Sequence, residues 1–271
     1  MMILLVAGVT LLGVLGFALP FHVNLPDTDG PGIYNDHSMA AVIKIMVMTI
    51  SMIVYIVMLI GVTYGMTIWL GIHFYRTMYS DEGYLTQTLP VSARQLIVSK
   101  TLVAGIWNML LSLSVMLSIG ILAFSLMGLS IGTDMLWTAW SEIIREFDEL
   151  VGLLSPEVIH LLVSLLIMCL IAPFSAVLVL FGSLTIGQLS NKYKAVMGIL
   201  AYFGVLFAQM VLNYIIQFIA SLGGAFILSF TEGESMAMGI TYDGSILLML
   251  IMGGAMYFIM HYILTRRLNM D

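Results

Sequence analysis

Apolar runs of at least eighteen residues recur along the whole chain and are separated by short polar connections. At about 20 residues per crossing they predict six helices, at roughly 2–22, 40–73, 93–126, 158–190, 195–222 and 243–265. The expected fold class is all-α: a polytopic membrane protein whose residues 1–271 form a single transmembrane domain. The second and third runs are too long for the bilayer alone. About 34 residues at 1.5 Å each make roughly 50 Å of helix, against about 30 Å of hydrocarbon. Both helices are therefore expected to project beyond the membrane, on the side where they are joined.

Composition agrees with the pattern. Of 271 residues, 61% are hydrophobic and 9% charged, which leaves too little polar surface for a water-soluble globule. The formal net charge of -6 names no partner, because orientation depends on where Lys and Arg fall in short loops. Seven of the nine lie on one side: Arg76, Arg94, Lys100, Lys192, Lys194, Arg266 and Arg267. Only Lys44 and Arg145 fall on the other, so both termini are expected in the cytoplasm and the chain in the plasma membrane. Connections 23–39, 127–157 and 223–242 are then the outer ones, and they hold most of the acidic residues. Met1 to Leu19 lacks the basic start of a signal peptide and is expected to be a first span with a very short or missing lead-in. Cys169 is the single cysteine; it lies within an apolar run and is expected to be a small buried hydrophobe.

The connection between the second and third runs is the most informative part of the chain. Ser80 is placed to cap a short helix, with Asp81 and Glu82 at the positive end of its dipole. Pro90 ends that helix by pushing the preceding residue out of the helical region. Ser92 and Gln95 then have capping-box spacing, with Val91 and Leu96 placed as a hydrophobic staple. Tyr84, Leu85 and Leu89 are left as apolar groups on an elbow flanked by carboxylates, which suits a docking knob as well as a well-capped loop.

Over about 27 residues, Phe74-Tyr-Arg-Thr-Met-Tyr-Ser-Asp-Glu-Gly-Tyr-Leu-Thr-Gln-Thr-Leu-Pro-Val-Ser-Ala-Arg-Gln-Leu-Ile-Val-Ser-Lys100 resembles the connector of ABC-2 type transporter permeases. Shared features are the acidic Glu-Gly pair, the Leu-Pro-Val-Ser step, and a basic residue and a Lys opening the next span. The six-span layout and the Ile186-Gly-Gln-Leu-Ser-Asn-Lys192 exit from the fourth span resemble the same family. The resemblance implies that Asp81, Glu82, Gly83, Tyr84 and Leu85 form a coupling helix gripped by a separate ABC ATPase subunit. ATP and Mg would be bound by that partner, with no cofactor in this chain. It further implies pairing with a second copy or a related permease, and an amphipathic or hydrophobic substrate such as a peptide antibiotic, a drug-like compound or a lipid-linked molecule.

Enzymatic chemistry has no visible support in the sequence. There is no Gly-x-x-x-x-Gly-Lys-Ser/Thr phosphate loop, so ATP hydrolysis is expected elsewhere. His22, His37, His73, His160 and His261 are scattered and lack metal-ligand spacing. Neither a Gly-x-Ser-x-Gly elbow nor an intramembrane pair of aspartates is present. Nothing points to nucleic acid. A proton-coupled carrier ranks low because every Asp and Glu is placed in a loop or at a span end.

Several polar or small residues inside the runs ask for a role. Gln209, Asn213 and Gln217 fall at i, i+4 and i+8 on one helix face. They either bond a neighbouring helix, at about 1 kcal/mol or less each, or line a substrate path. Lys44 is expected to snorkel to the outer surface, with a substrate contact as the alternative. Gly61 and Gly65 form a small face suited to close packing. Pro173 should kink the fourth span. Residues 134–154 carry Leu136, Trp137, Trp140, Ile143, Ile144, Phe147, Leu150, Val151 and Leu154 as an apolar stripe opposite charges, which predicts an interfacial helix on the outer surface. It reads as a structural lid or as a substrate-capture element. The stretch 223–230 is compatible with a re-entrant segment. The leading functional expectation is the permease subunit of an ABC exporter; the alternative is a non-transporting immunity or assembly scaffold.

Overall fold

In a bilayer no water reaches the backbone, so each spanning segment must satisfy its own N–H and C=O groups, and a helix does so along its whole length. The computed structural model describes residues 2–22, 36–80, 92–131, 133–145, 156–190, 192–228 and 234–266, and every regular element among them is helical. In chain order these are α1 (Met2–His22), α2 (Asp36–Tyr79), α3 (Ala93–Ile131), α4 (Thr133–Arg145), α5 (Pro156–Gly187), α6 (Lys194–Leu228) and α7 (Glu234–Arg266). Five sections are long and apolar enough to cross a membrane: Ile45–Tyr79, Ala93–Met127, Val158–Gly187, Lys194–Leu222 and Tyr242–Thr265. In α1 the apolar section among the described residues is the shorter Val6–Leu15.

Helices outrun the apolar windows that predict them. The expected outer connection 223–242 is largely helical, because α6 continues to Leu228 and α7 already begins at Glu234. Hydropathy falls where lipid would end, whereas a helix ends where its backbone is capped, so the two boundaries need not coincide. The stretch 223–230 accordingly continues the fifth expected span as helix through Leu228. In the outer connection after α3, α4 supplies the expected helix over Thr133–Arg145, with Trp137, Trp140 and Ile144 exposed. Residues 146–155, which carry the rest of that stripe, lie outside the described residues.

The chain divides into two compact units, and α2 and α3 each contribute to both. One unit comprises Met1–Thr67 and Leu110–Val151. Its core contains Val9, Tyr55, Leu59 and Leu122. α1 is apolar all round, yet one face is selected: Val6, Val9, Thr10 and Gly13 are buried while Leu4, Leu11, Leu12 and Leu15 are exposed. The buried face is the small and polar one, as expected where helices associate in lipid without a hydrophobic force between them. Thr10 Oγ1 lies 2.7 Å from the Val6 carbonyl oxygen and 2.8 Å from Ser118 Oγ, which in turn lies 2.7 Å from Tyr55 Oη. Three hydroxyls on three helices thus satisfy one another. Gly61 and Gly65 depart from expectation: a Cβ on either would meet nothing within 4 Å among the described atoms.

The other unit comprises Ile68–Met109 and Gly152–Asp271. Here α5 packs against α7 and α6, which also touch each other. From Val177 to Thr185 nearly every residue of α5 is buried, which makes it the central helix of the unit. Small residues admit its neighbours: Gly182 lies against Met256, and Ser175 Oγ donates to the Met249 carbonyl at 2.8 Å. Pro173 lies inside α5, and Asn108 Nδ2 of α3 donates to its carbonyl oxygen at 3.2 Å. The carbonyl that Pro173 leaves without its helical N–H is that of Cys169, one turn earlier, so the Asn108 bond ties α3 to α5 and does not replace the missing one.

Candidate functional site

The residues that the resemblance assigns to coupling, Asp81, Glu82, Gly83, Tyr84 and Leu85, lie outside the described residues, as do Leu89, Pro90 and Val91. What the structure defines is the platform that holds both ends of that connector. Phe74, Met78 and Ile97 are fully buried, so the last turns of α2 and the first turn of α3 are anchored by their apolar faces. Phe74 stacks on Phe181 of α5, with ring centroids 3.8 Å apart and planes 7° from parallel. Gly71, one turn earlier, lets the side chains of Leu180 and Leu184 come within ordinary contact distance of its Cβ position.

Tyr79 closes the end of α2. Its hydroxyl lies 2.8 Å from Thr185 Oγ1, and Thr185 donates to the Phe181 carbonyl at 2.8 Å. Because each hydroxyl has one proton, Thr185 spends its own on the carbonyl and accepts from Tyr79. Tyr79→Phe removes this one bond and leaves Thr185 its carbonyl partner. The expected cost is therefore about 1 kcal/mol, read as a small downward shift in the unfolding temperature of the purified chain. A drop of the size produced by a core truncation would mean that the hydroxyl does more than tie α2 to α5.

Ser92 and Gln95 form the expected capping box. Gln95 N donates to Ser92 Oγ at 3.3 Å and Ser92 N donates to Gln95 Oε1 at 3.2 Å, while Leu96 N reaches the Ser92 carbonyl at 3.1 Å. This reciprocal pair satisfies two donors that a bare helix start would leave open and fixes where α3 begins. At the other end of the connector, the Ser80 hydroxyl donates back to the Arg76 carbonyl. The amides that Ser80 was expected to cap lie in the undescribed stretch.

The same end of this unit carries a tight helical hairpin. α5 finishes in three successive turn bonds, Gln188 N to Thr185 O, Leu189 N to Ile186 O and Ser190 N to Gly187 O, at 3.1, 3.1 and 3.2 Å. α6 starts with Met197 N donating to Tyr193 O at 2.9 Å. The two helices meet backbone to backbone at Gly187 and Gly198. Arg94, Lys192 and Lys194 are exposed around these ends.

Of the amide stripe on α6, Asn213 reaches a neighbour: its Oδ1 accepts from Ser245 Oγ of α7 at 3.2 Å. Gln209 is half-buried and Gln217 exposed. Replacing Gln209, Asn213 and Gln217 together with Leu separates the two roles open to the stripe. If the amides line a path, assembly of the variant is expected to be unchanged; failed assembly would instead assign them to packing.

Reading the sequence missed one constellation. Asp243, nine residues into α7, accepts from Ser164 Oγ at 2.7 Å and pairs with His160 Nε2 at 3.3 Å. His160 and Ser164 are one turn apart on α5, and that i, i+4 spacing was the available signal. Elsewhere His73 stacks on Trp69 and His261 lies beside Tyr257. Among the described residues no three His, Cys, Asp or Glu gather as a metal site. Compared with family models, with curated proteins and with solved structures, the chain matches none.

Proposed function

We propose that this chain is the membrane-spanning subunit of an ATP-driven exporter of the ABC-2 type, with α1 as a sixth crossing and both termini in the cytoplasm. The observation that carries the reading is the connector sequence, with its Ser80-Asp-Glu-Gly-Tyr-Leu85 segment and its Leu89-Pro-Val-Ser92 step, placed between two helices of 44 and 39 residues. A platform at both ends of that connector, made by buried Phe74, half-buried Tyr79 and the exposed Ser92–Gln95 box, supports a lever that passes motion from an attached subunit into the spans.

The roles divide as follows. Asp81, Glu82, Gly83, Tyr84 and Leu85 dock in a groove of a separate ABC ATPase subunit. ATP-driven closure of two such subunits moves α2 and α3 of two paired permease chains, and an amphipathic or hydrophobic substrate leaves the cytoplasm or the inner leaflet. Purification of the chain from its native membrane in mild detergent tests this directly. A stoichiometric ATPase subunit and ATP turnover are expected in the eluate. Recovery of the chain alone, under conditions that keep known transporter complexes together, would overturn the exporter reading and favour a non-transporting scaffold.

A further inference from the structure

Between the connector-proximal parts of α2 and α3 lies a cleft of about 340 Å³, at the lower end of the roughly 300–1,000 Å³ usual for ligand sites. Its floor is apolar and buried, formed by Leu70, Phe74 and Phe181. Trp69 and Trp107 are among its walls, and they are 51% and 48% exposed. His73, Ser99 and Lys100 supply its polar side chains, with Val103 and Ala104 completing the lining. Trp69 and His73 stack with centroids 5.5 Å apart and planes within 8°, which fixes the orientation of that wall.

Two features identify the occupant. The first is charge. Lys100 lies within a membrane-spanning section, contributes to an otherwise largely apolar cleft, and has no ion-pair partner among the described residues. Such a group calls for an anion, while its four-carbon stem can lie along the apolar wall. The second is depth. Lys100 is seven residues into α3, about 10 Å from the start of the helix. The 39 residues of α3 make about 58 Å of helix, against about 30 Å of hydrocarbon. Exposed Arg94 in the first turn marks this end as one that stands outside the hydrocarbon, so that Lys100 falls near its boundary. Paired tryptophans are at home at that level, where their rings meet acyl chains and headgroups together.

We propose that this cleft binds an anionic phospholipid from the connector-side leaflet, its phosphate on Lys100 and one acyl chain between Trp69 and Trp107. The site requires only that α2 and α3 cross a membrane, and it stands whether or not the chain is an exporter subunit. A bound lipid would brace the two helices beside the Phe74–Phe181 stack, so lipid composition would bear on the stiffness of the platform.

The test uses the full chain carrying Trp137→Phe and Trp140→Phe, which leaves Trp69 and Trp107 as its only tryptophans. It is reconstituted in phosphatidylcholine nanodiscs containing either phosphatidylglycerol or phosphatidylcholine brominated on the acyl chain. Tryptophan quenching is expected to reach half-maximum at about a fivefold lower mole fraction of the anionic lipid, the preference one lysine gives near an anionic surface. Lys100→Gln should abolish the preference, Lys100→Arg should keep it, and Lys194→Gln on α6 should leave it unchanged. Equal quenching by the two lipids, or a preference that survives Lys100→Gln, would overturn the proposal. A preference that emerges only after Asp81→Asn and Glu82→Gln would also overturn it, by showing that connector carboxylates are the lysine's partner. Absence of quenching by either lipid would also overturn it, because no acyl chain would then reach Trp69 or Trp107.

Discussion

Glu82→Arg is expected to leave the chain inserted and stable while reducing recovery of the proposed ATPase subunit about tenfold or more, with ATP turnover lost in proportion. Glu82 follows Asp81 in a connector whose neighbouring Tyr84 and Leu85 are the apolar part of the proposed knob. If Glu82 docks as proposed, reversing its charge replaces an attractive contact with a repulsive one, and like-charge juxtaposition at an interface costs several kcal/mol. The change should not reach the fold, because the platform rests on Phe74, Met78, Tyr79 and Ile97, none of which is altered. Glu142→Arg, at an exposed position of α4, is the matched control and should retain the subunit. Co-purification ratio and unfolding temperature, measured on both variants, separate the outcomes. Normal stability with undiminished ATPase recovery for Glu82→Arg would remove Glu82 from the docking surface.

Legibility in the sequence followed what each signal physically reports. Long apolar runs gave α1, α2, α3, α5, α6 and α7 as helices, because hydrocarbon thickness imposes a minimum length on any crossing, and an amphipathic stripe gave α4. The Ser92–Gln95 box was legible because capping is local, three residues apart, and independent of the rest of the fold. Helix ends were less so. Glu234 to Tyr242 reads as part of a loop by hydropathy, yet it begins α7. Contacts between distant positions were not legible at all. Tyr79 with Thr185, Asn108 with Pro173 and Asp243 with His160 each join residues more than sixty apart, and no local pattern pairs them. Gly61 and Gly65 show the converse: their spacing suits close packing, but spacing does not say which helix arrives, and in this chain none of the described residues does.

Gly187→Ala is expected to destabilise the chain by about 2–3 kcal/mol, toward the upper end of what overpacking costs. A Cβ at Gly187 would fall 2.6 Å from the Lys194 carbonyl oxygen and as close to the backbone of Gly198. Real Cβ atoms do not approach backbone this closely, and no rotamer change relieves the clash because the atoms met are main chain. α5 and α6 would have to splay at the hairpin, loosening Thr185 and the Phe181 stack that hold the end of α2. Two other glycines calibrate the claim. At Gly105 the atoms met belong to the Phe174 ring, a side chain that can swing aside, so Gly105→Ala should cost less. At Gly204, in the middle of α6, a Cβ meets nothing within 4 Å, so alanine there should be neutral or stabilise by up to about 1 kcal/mol through helix propensity. Cys169, the single thiol, lies half-buried on α5 and serves as the reporter. Its reaction with a thiol-specific fluorophore during heating reports the opening of the central helix. The expected order of unfolding temperatures is Gly204→Ala highest, then Gly105→Ala, then Gly187→Ala. If Gly187→Ala and Gly204→Ala react at the same temperature, α5 and α6 do not meet through their backbones at this hairpin.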